Sequence, residues 1–177
     1  MSKTKWNLDL SHSEVTFKVK HMMITNVSGS FKEFSLDASS EGEDFSSPEA
    51  VFRAKAASVF TNADQRDTHL RSAEFFDSEK YPDLIFKTRS FKKTDGDNYE
   101  LQGDLTIRDV TKNISLTAEL GGIQKDPWGQ TKAGMTVSGK INRKDFGLNW
   151  NAALEAGGVM VSDEVRINCE IQMIKAA

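Results

Sequence analysis

The sequence predicts an all-β fold: an antiparallel sheet closing on itself as an eight-stranded barrel, with one short helix inserted at about residues 62–72. Three observations carry this. Apolar and polar residues alternate with a period of two through eight or so segments set at hairpin spacing. One stretch alone, 62–82, departs from that period and takes on helical spacing. At 177 residues the chain fits a single domain, 1–177, because even large barrels run as one unit at this size. An eight-stranded barrel either fills its interior with side chains or holds one elongated ligand.

The elements follow in order. Trp6 and Leu8 alternate with polar neighbours before a turn at 11–13. Val15, Phe17, Val19 and His21 then share one face, opposite Thr16, Lys18 and Lys20, as in a half-buried antiparallel strand. His21 therefore lies on the apolar side. A pocket or core histidine bonded to a neighbour is the plainer reading, since no second metal ligand lies at a useful spacing. Gly29 opens a strand through Phe31, Phe34 and Leu36, and the step of three from Phe31 to Phe34 predicts a bulge or bend. An acidic, serine-rich turn spans 39–48. Ala50, Phe52, Ala54, Ala56, Ser58 and Phe60 then form the next inward face. Alanines alternating with phenylalanines either pack against a bulky neighbouring strand or leave room for something else.

In the helical stretch, Asn62 is placed to accept from an orphan N–H, with Gln65 reaching back to it. Asp67 and Arg71 sit at i,i+4 spacing, as do Arg66 and Leu70. The helix should end near Ser72, because the adjacent Phe75 and Phe76 cannot share one narrow helical face. Pro82 holds Tyr81 extended and opens the next strand. Two arginines, an aspartate and a histidine, followed by two large aromatics, suggest a plug across the barrel.

Leu84, Phe86 and Thr88 resume the alternation, and a turn at 95–98 uses Gly96 for positive φ. Tyr99, Leu101, Gly103, Leu105 and Ile107 lead to a reverse at 108–112, and then to Ile114, Leu116, Ala118 and Leu120. A long loop is expected at 121–129, followed by Ala133, Met135, Val137, Gly139 and Ile141. Residues 142–158 read as irregular, with Phe146 and Trp150 near their centre. Val165, Ile167, Cys169, Ile171 and Met173 complete the pattern, and place Cys169 inward as a small hydrophobe. The inward faces are almost wholly apolar, and water would be a poor occupant of a cavity between them.

The totals narrow the function. Charge is nearly balanced, 23 basic against 26 acidic residues, which names no nucleic-acid partner. The single cysteine excludes an intramolecular disulfide. The N-terminal residues have no apolar core of a leader, and no run is long enough to span a membrane as a helix. A cytoplasmic location is the expectation, or a periplasmic one had a leader been removed. His12, His21 and His69 lack ligand spacing, so neither a metal nor a cofactor is expected.

Several strings together carry a family likeness. They are Phe17-Lys18-Val19-Lys20-His21-Met22 with Gly29-Ser30-Phe31, and Thr61-Asn62 leading to Arg66-Asp67-Thr68-His69-Leu70-Arg71-Ser72-Ala73-Glu74-Phe75-Phe76. Tyr81-Pro82, Gly103-Asp104-Leu105-Thr106-Ile107-Arg108, Asp126-Pro127-Trp128-Gly129 and Ile141-Asn142-Arg143-Lys144-Asp145-Phe146-Gly147 follow in order. Over nearly its full length the chain resembles the YceI-like lipid- and polyisoprenoid-binding family. The resemblance implies an extended, lipocalin-like barrel that binds a long isoprenoid or similar amphiphile in a central tunnel, and it suggests a homodimer. Asp109 departs from the glycine usual in that turn.

On this reading the tunnel is lined by Phe17, Val19, His21, Phe31, Phe52, Ala54, Ala56, Phe60, Phe76, Phe86, Leu105, Ile107, Met135, Val137, Phe146, Trp150 and Ile167. A polyisoprenoid or isoprenoid quinone is the expected ligand, with a fatty acid or fatty amide as the alternative. At roughly 0.8 kcal/mol per buried CH₂, each five-carbon unit contributes on the order of 3–4 kcal/mol gross. The same tail is equally content in a bilayer, so net transfer lies near zero, which suits a carrier. Two roles stay open for the polar residues. Arg66, His69, Arg71 and Arg143 could meet a polar head, or Asp67, Arg71, Arg143 and Asp145 could form an ion-pair network bracing helix to barrel. Two other classes compete. A hydrolase would use Asp67, His69 and Ser72, but there is no Gly-x-Ser-x-Gly elbow. An interaction module would use exposed Trp128 and Trp150.

Overall fold

The computed structural model describes residues 3–22, 24–41, 46–151 and 161–176. Its strands are β1 (Lys3–Leu8), β2 (Glu14–His21), β3 (Thr25–Phe31), β4 (Phe34–Glu41), β5 (Ser46–Lys55), β6 (Val59–Phe60), β7 (Asp83–Asp95), β8 (Asn98–Ile107), β9 (Val110–Lys125), β10 (Thr131–Asn142) and β11 (Val161–Lys175). One helix, α1 (Asp64–Arg71), separates β6 from β7. All strand pairings are antiparallel, and β1, β4, β5, β7, β8, β9, β10 and β11 form a closed ring of eight because β1 pairs with both β4 and β11.

The other three strands prolong this ring at one end. β2 takes over from β1 along β11, β3 pairs with β2, and β6 pairs with β3. Three barrel strands are thus interrupted paths, β1 with β2, β3 with β4, and β5 with β6. Each interruption is held by hydrogen bonds. Between β1 and β2, the Asp9 N–H donates to the Gln172 carbonyl at 2.8 Å, and Ser11, His12 and Gln172 surround the Asp9 carboxylate. The bend expected between Phe31 and Phe34 lies at Lys32 and Glu33, where the Lys32 N–H donates to Ser58 O at 3.1 Å and Glu33 O accepts from the Lys55 N–H at 2.9 Å.

The third interruption corrects a sequence expectation. Residues 50–60 are not one strand: a 3₁₀ turn at Ala56–Ser58 separates β5 from β6. Such a turn repeats every three residues rather than two, so the inward parity is reversed beyond it. Val59 is buried, and Phe60 points out, 41% exposed, with the Lys32 ammonium 4.8 Å above its ring. Phe60 is therefore no part of an inward face. Ala56 is fully buried and its N–H donates to Pro82 O at 2.9 Å.

The helix ends at Ser72, as expected, but starts differently. Ala63 stands at the N-cap with no side-chain bond, and Asn62 adopts a left-handed φ of 64° instead of capping. A further correction concerns 121–129. β9 continues through Lys125, accommodating the glycines as a bulge: Gly134 lies opposite Gly122 and Met135 opposite Leu120, leaving Gly121 unpaired between them. Only residues 126–130 form the loop, tied by the Asp126 carboxylate to the N–H groups of Trp128 and Gln130. The turns at 96–97 and 108–109 appear as two-residue hairpins.

Two buried regions close the barrel. Around β1, Trp6, Ala38, Ala133 and Met173 pack together, and the indole N–H of Trp6 donates to Ser40 Oγ at 2.9 Å. At the far end, Ile107, Phe146 and Leu148 pack with Phe76 and Leu84. Phe146 is held in a 3₁₀ turn, Arg143–Phe146, and is 1% exposed within this cluster. That placement makes Phe146 part of the end closure and not of the cavity wall, which corrects its assignment to the tunnel. Of the irregular segment expected at 142–158, residues 152–158 lie outside the described residues.

Candidate ligand cavity

Between these regions lies a cavity of about 560 Å³. Its wall follows directly from the alternation: each strand sends every second side chain inward. β2 contributes Val15, Phe17 and Val19, β5 contributes Ala50, Phe52 and Ala54, and β7 contributes Leu84, Phe86 and Thr88. Leu101, Leu105 and Ile107 come from β8, Met135, Val137 and Ile141 from β10, and Val165, Ile167, Cys169 and Ile171 from β11. Glycines make room for the aromatic members. A Cβ on Gly29 would lie 2.3 Å from Phe17 Cζ, and one on Gly103 would lie 2.4 Å from Phe86 Cζ.

Of the residues expected to line a tunnel, Phe17, Val19, His21, Phe31, Phe52, Ala54, Phe76, Phe86, Leu105, Ile107, Met135, Val137, Trp150 and Ile167 stand on this wall. Ala56, Phe60 and Phe146 do not, for the reasons of turn geometry and end packing given above. Cys169 faces the cavity, and burial pushes its thiol pKa up to about 12, so it remains a neutral, apolar group near pH 7.

Apart from Thr16 and Thr88, whose hydroxyls are bonded to backbone carbonyls, the polar side chains gather where α1 lies beside the β2–β3 end of the barrel. Thr61, Gln65, Arg66, His69, Lys20, His21 and Arg143 reach the cavity there. Among the described lining residues, only Lys20, Gln65 and Arg66 are exposed, which marks the mouth. Thr61 organises one lip. Its N–H donates to Asp67 Oδ1 at 2.8 Å, its hydroxyl donates to the same oxygen, and Arg66 Nε and Nη2 donate to its Oγ1 and carbonyl at 2.7 and 2.6 Å. Thr61 and Asp67 are 5% and 4% exposed.

Arg143 organises the other lip and is 3% exposed. Nη1 donates to the carbonyls of Leu148 at 2.6 Å and Trp150 at 2.9 Å, Nε to Ser162 O at 2.9 Å, and Nη2 to Val161 O at 3.3 Å, with Asp163 at 3.9 Å. Burial lowers its pKa and the Asp163 carboxylate opposes that fall. Its N–H groups are therefore spent on backbone carbonyls, pinning residues 148–151 against the start of β11. Between the lips, the His69 ring meets the Trp150 ring edge-on at 4.7 Å and the Phe75 ring at 5.0 Å, and its Nε2 lies 3.1 Å from Glu74 Oε2.

The ion-pair network expected among Asp67, Arg71, Arg143 and Asp145 is not formed. Asp67 bonds to Thr61, Arg71 reaches Thr68 Oγ1 at 3.2 Å, and Arg143 bonds carbonyls. Asp145 is exposed, in the turn beside Phe146. The hydrolytic set is not assembled either, because Asp67 serves Thr61 while Ser72 Oγ donates to the His69 backbone carbonyl, not to its ring. Among the described residues no group of three His, Cys, Asp or Glu side chains is placed to hold a metal ion. Trp150 is not an exposed surface aromatic but part of the mouth, whereas Trp128 is 83% exposed. Sequence reasoning missed Thr61 and Lys20. A buried threonine one residue before the helix region carries no periodic signal, and Lys20 has outward parity until the end of the hairpin brings it to the rim.

The chain matches the YceI-like domain over residues 6–173. It belongs to the YceI-like family. A UPF0312 protein of Staphylococcus epidermidis is 36% identical to it over 170 residues, covering 96% of each chain. The YceI protein of Campylobacter jejuni, known from its crystal structure, is 34% identical, with a TM-score of 0.77 over 89% of this chain and 90% of that one. Two remoter structures share the fold. BcnA of Burkholderia cenocepacia superposes with a TM-score of 0.80 at 20% identity, over 94% of this chain and 99% of that one. A polyisoprenoid binding domain from Saccharophagus degradans does so with a TM-score of 0.70 at 15% identity, over 97% and 98%. This chain thus builds the YceI-like domain as a closed barrel with an inserted helix and an apolar interior.

Proposed function

We propose that this YceI-like protein binds the tail of a long-chain amphiphile, a polyisoprenoid or isoprenoid quinone, inside the barrel and acts as a carrier, not as an enzyme. The observation that supports this best is the division of the cavity: a long apolar wall, with polar side chains gathered at the mouth. Such a wall offers contact and exclusion of water, and nothing in it would hold or activate a polar substrate. The name of the Saccharophagus degradans neighbour as a polyisoprenoid binding domain agrees with this reading. A cavity of 560 Å³ lies within the range of small-molecule sites and suits a tail of a few isoprene units or one fatty chain. Burying such a tail yields ample gross free energy for tight binding after association costs, while exchange with a bilayer stays near balance.

Arg66, His69 and Lys20 stand where a head group would emerge. Native mass spectrometry of the purified protein, followed by organic extraction, tests the proposal. A copurified hydrophobic mass with an isoprenoid fragmentation pattern supports it. A saturated acyl mass would assign the cavity to a fatty acid or fatty amide, and protein that stays empty when offered either lipid would sink the carrier reading.

A further inference from the structure

The surroundings of the mouth have a property that the cavity itself does not require. Beside Lys20 and His21, the hairpin tip joining β2 to β3 carries Met22 and Ile24, which are 41% and 77% exposed. Neither lines the cavity. Met22 also takes a left-handed φ of 51°, and the Ile24 N–H donates back to His21 O at 3.2 Å, so the chain turns tightly there and leaves Met22 and Ile24 exposed. Met22 and Ile24 together form a small exposed apolar patch beside the cavity mouth.

The adjacent charge says what this patch meets. Lys20 and Arg66 flank the mouth, both exposed, and no carboxylate pairs with either among the described residues. The carboxylates drawn to this rim by ion pairs are taken by other groups, Glu74 by His69 and Asp163 by Arg143 and Lys144. Apolar side chains ringed by unpaired cations form the pattern that recognises an anionic lipid surface, where the apolar groups enter the head-group region and the cations meet lipid phosphates. A protein partner would need more apolar area than one turn supplies.

We infer that the β2–β3 tip docks on an anionic bilayer and holds the cavity mouth against it. This rests on the proposed function and deepens it: a lipid leaving the membrane would enter between β2 and α1 without crossing water. The direction of docking follows from the register. Val161 pairs with His21 at one end of β11, while Ile174 pairs with Lys132, beside the 126–130 loop, at the other. Trp128 therefore lies about 45 Å of strand away from the tip and would stay in water.

The experiment uses the whole protein with vesicles of phosphatidylcholine containing phosphatidylglycerol, and of phosphatidylcholine alone, measured by co-sedimentation. The wild type should associate with the anionic vesicles at least tenfold more strongly than with the neutral ones, and lose that preference at high salt. The double variant Met22→Ser/Ile24→Ser should lose at least tenfold in anionic-vesicle association while keeping its melting temperature. Trp128→Ser should behave as wild type. Equal association of the double variant and the wild type, or a wild type that ignores anionic vesicles, overturns the inference. Lipid content is measured on the same preparations. Copurified lipid without vesicle association removes the docking and leaves the carrier. Vesicle association that the double variant loses, by a protein that never holds lipid, keeps the docking and removes the carrier.

Discussion

Ala54 and Ala56 lie two residues apart, are nearly equally buried at 2% and 0% exposure, and should respond in opposite ways to the same substitution. Ala54 lines the cavity, in register between Phe34 of β4 and Leu84 of β7. Ala56 begins the 3₁₀ turn, with its N–H committed to Pro82 O, and does not border the cavity. An indole adds nine ring atoms, and at position 54 it can enter a space of 560 Å³. Ala54→Trp should therefore cost less than Ala56→Trp, because its ring can turn from the packed cluster of Val15, Phe31 and Val59 into the cavity. Even if its ring excludes only four tail carbons, the ligand loses about 3 kcal/mol, a hundredfold or more in affinity. Ala56→Trp has no such space and should cost about 1–3 kcal/mol or more by overpacking. Denaturant unfolding of delipidated protein gives the stabilities, and extraction with mass spectrometry gives the lipid content. The reasoning is refuted if Ala54→Trp is destabilised as much as Ala56→Trp and still carries lipid.

Arg143→Met removes the donors to four carbonyls at the mouth and should cost about 3–5 kcal/mol, the range for breaking a buried charged cluster, seen as a lowered denaturant midpoint. Thr61→Val strips the hydroxyl from the buried Asp67 carboxylate and should cost about 1–3 kcal/mol, whereas Arg71→Met, whose guanidinium meets only the Thr68 hydroxyl, should change stability by less than about 0.5 kcal/mol; equal melting temperatures for the two variants would contradict this division. The Asp9 carboxyl is held at a pKa of about 2, below its ordinary 3.8, first by the Ser11 hydroxyl and then by His12 and Gln172, against the cost of burial. Because the folded value is the lower one, its contribution is complete only above about pH 5 and is lost as pH falls toward 2; Asp9→Asn should flatten the stability profile in that window. Gly103→Ala should destabilise the sheet by about 1–3 kcal/mol, since its Cβ would stand 2.5 Å from the Lys87 carbonyl oxygen, a backbone atom that cannot turn aside.

Most of the barrel was legible because alternation encodes the inward face directly, and fourteen of the seventeen residues expected to line a tunnel do line the cavity. The three that do not share a cause. Ala56 opens, and Phe60 follows, a three-residue turn that resets the parity, and a turn of Ala-Ala-Ser carries no glycine or proline to announce it. Phe146 sits in another such turn, where a period of two has no meaning. The polar residues were harder to read. Spacing on α1 brings Asp67 toward Arg71, but Thr61, on the chain entering the helix, offers a backbone N–H and a hydroxyl together, and a carboxylate prefers that pair of donors to a flexible, hydrated guanidinium. Likewise Arg143 was visible as a motif residue, but its partners are main-chain oxygens, which no side-chain pattern reveals.

The pairing of β11 with β10, β1 and β2 bears on how the chain acquires its shape. The hairpins from β7 to β10 join neighbours in sequence and can form early, at little cost in loop closure. β1 and β2 have no such option, since Trp6 must find Lys175 and Phe17 must find Ile167 across almost the whole chain. Until β11 arrives, the N-terminal strands present an unpaired edge and a half-formed apolar trough, both prone to aggregation. Folding should therefore take milliseconds to seconds, as in other proteins dominated by distant pairings. Substitutions in β11 that weaken its register should slow refolding, while those in the β8–β9 hairpin should mainly hasten unfolding if that hairpin forms after the rate-limiting closure and slow refolding if it forms before.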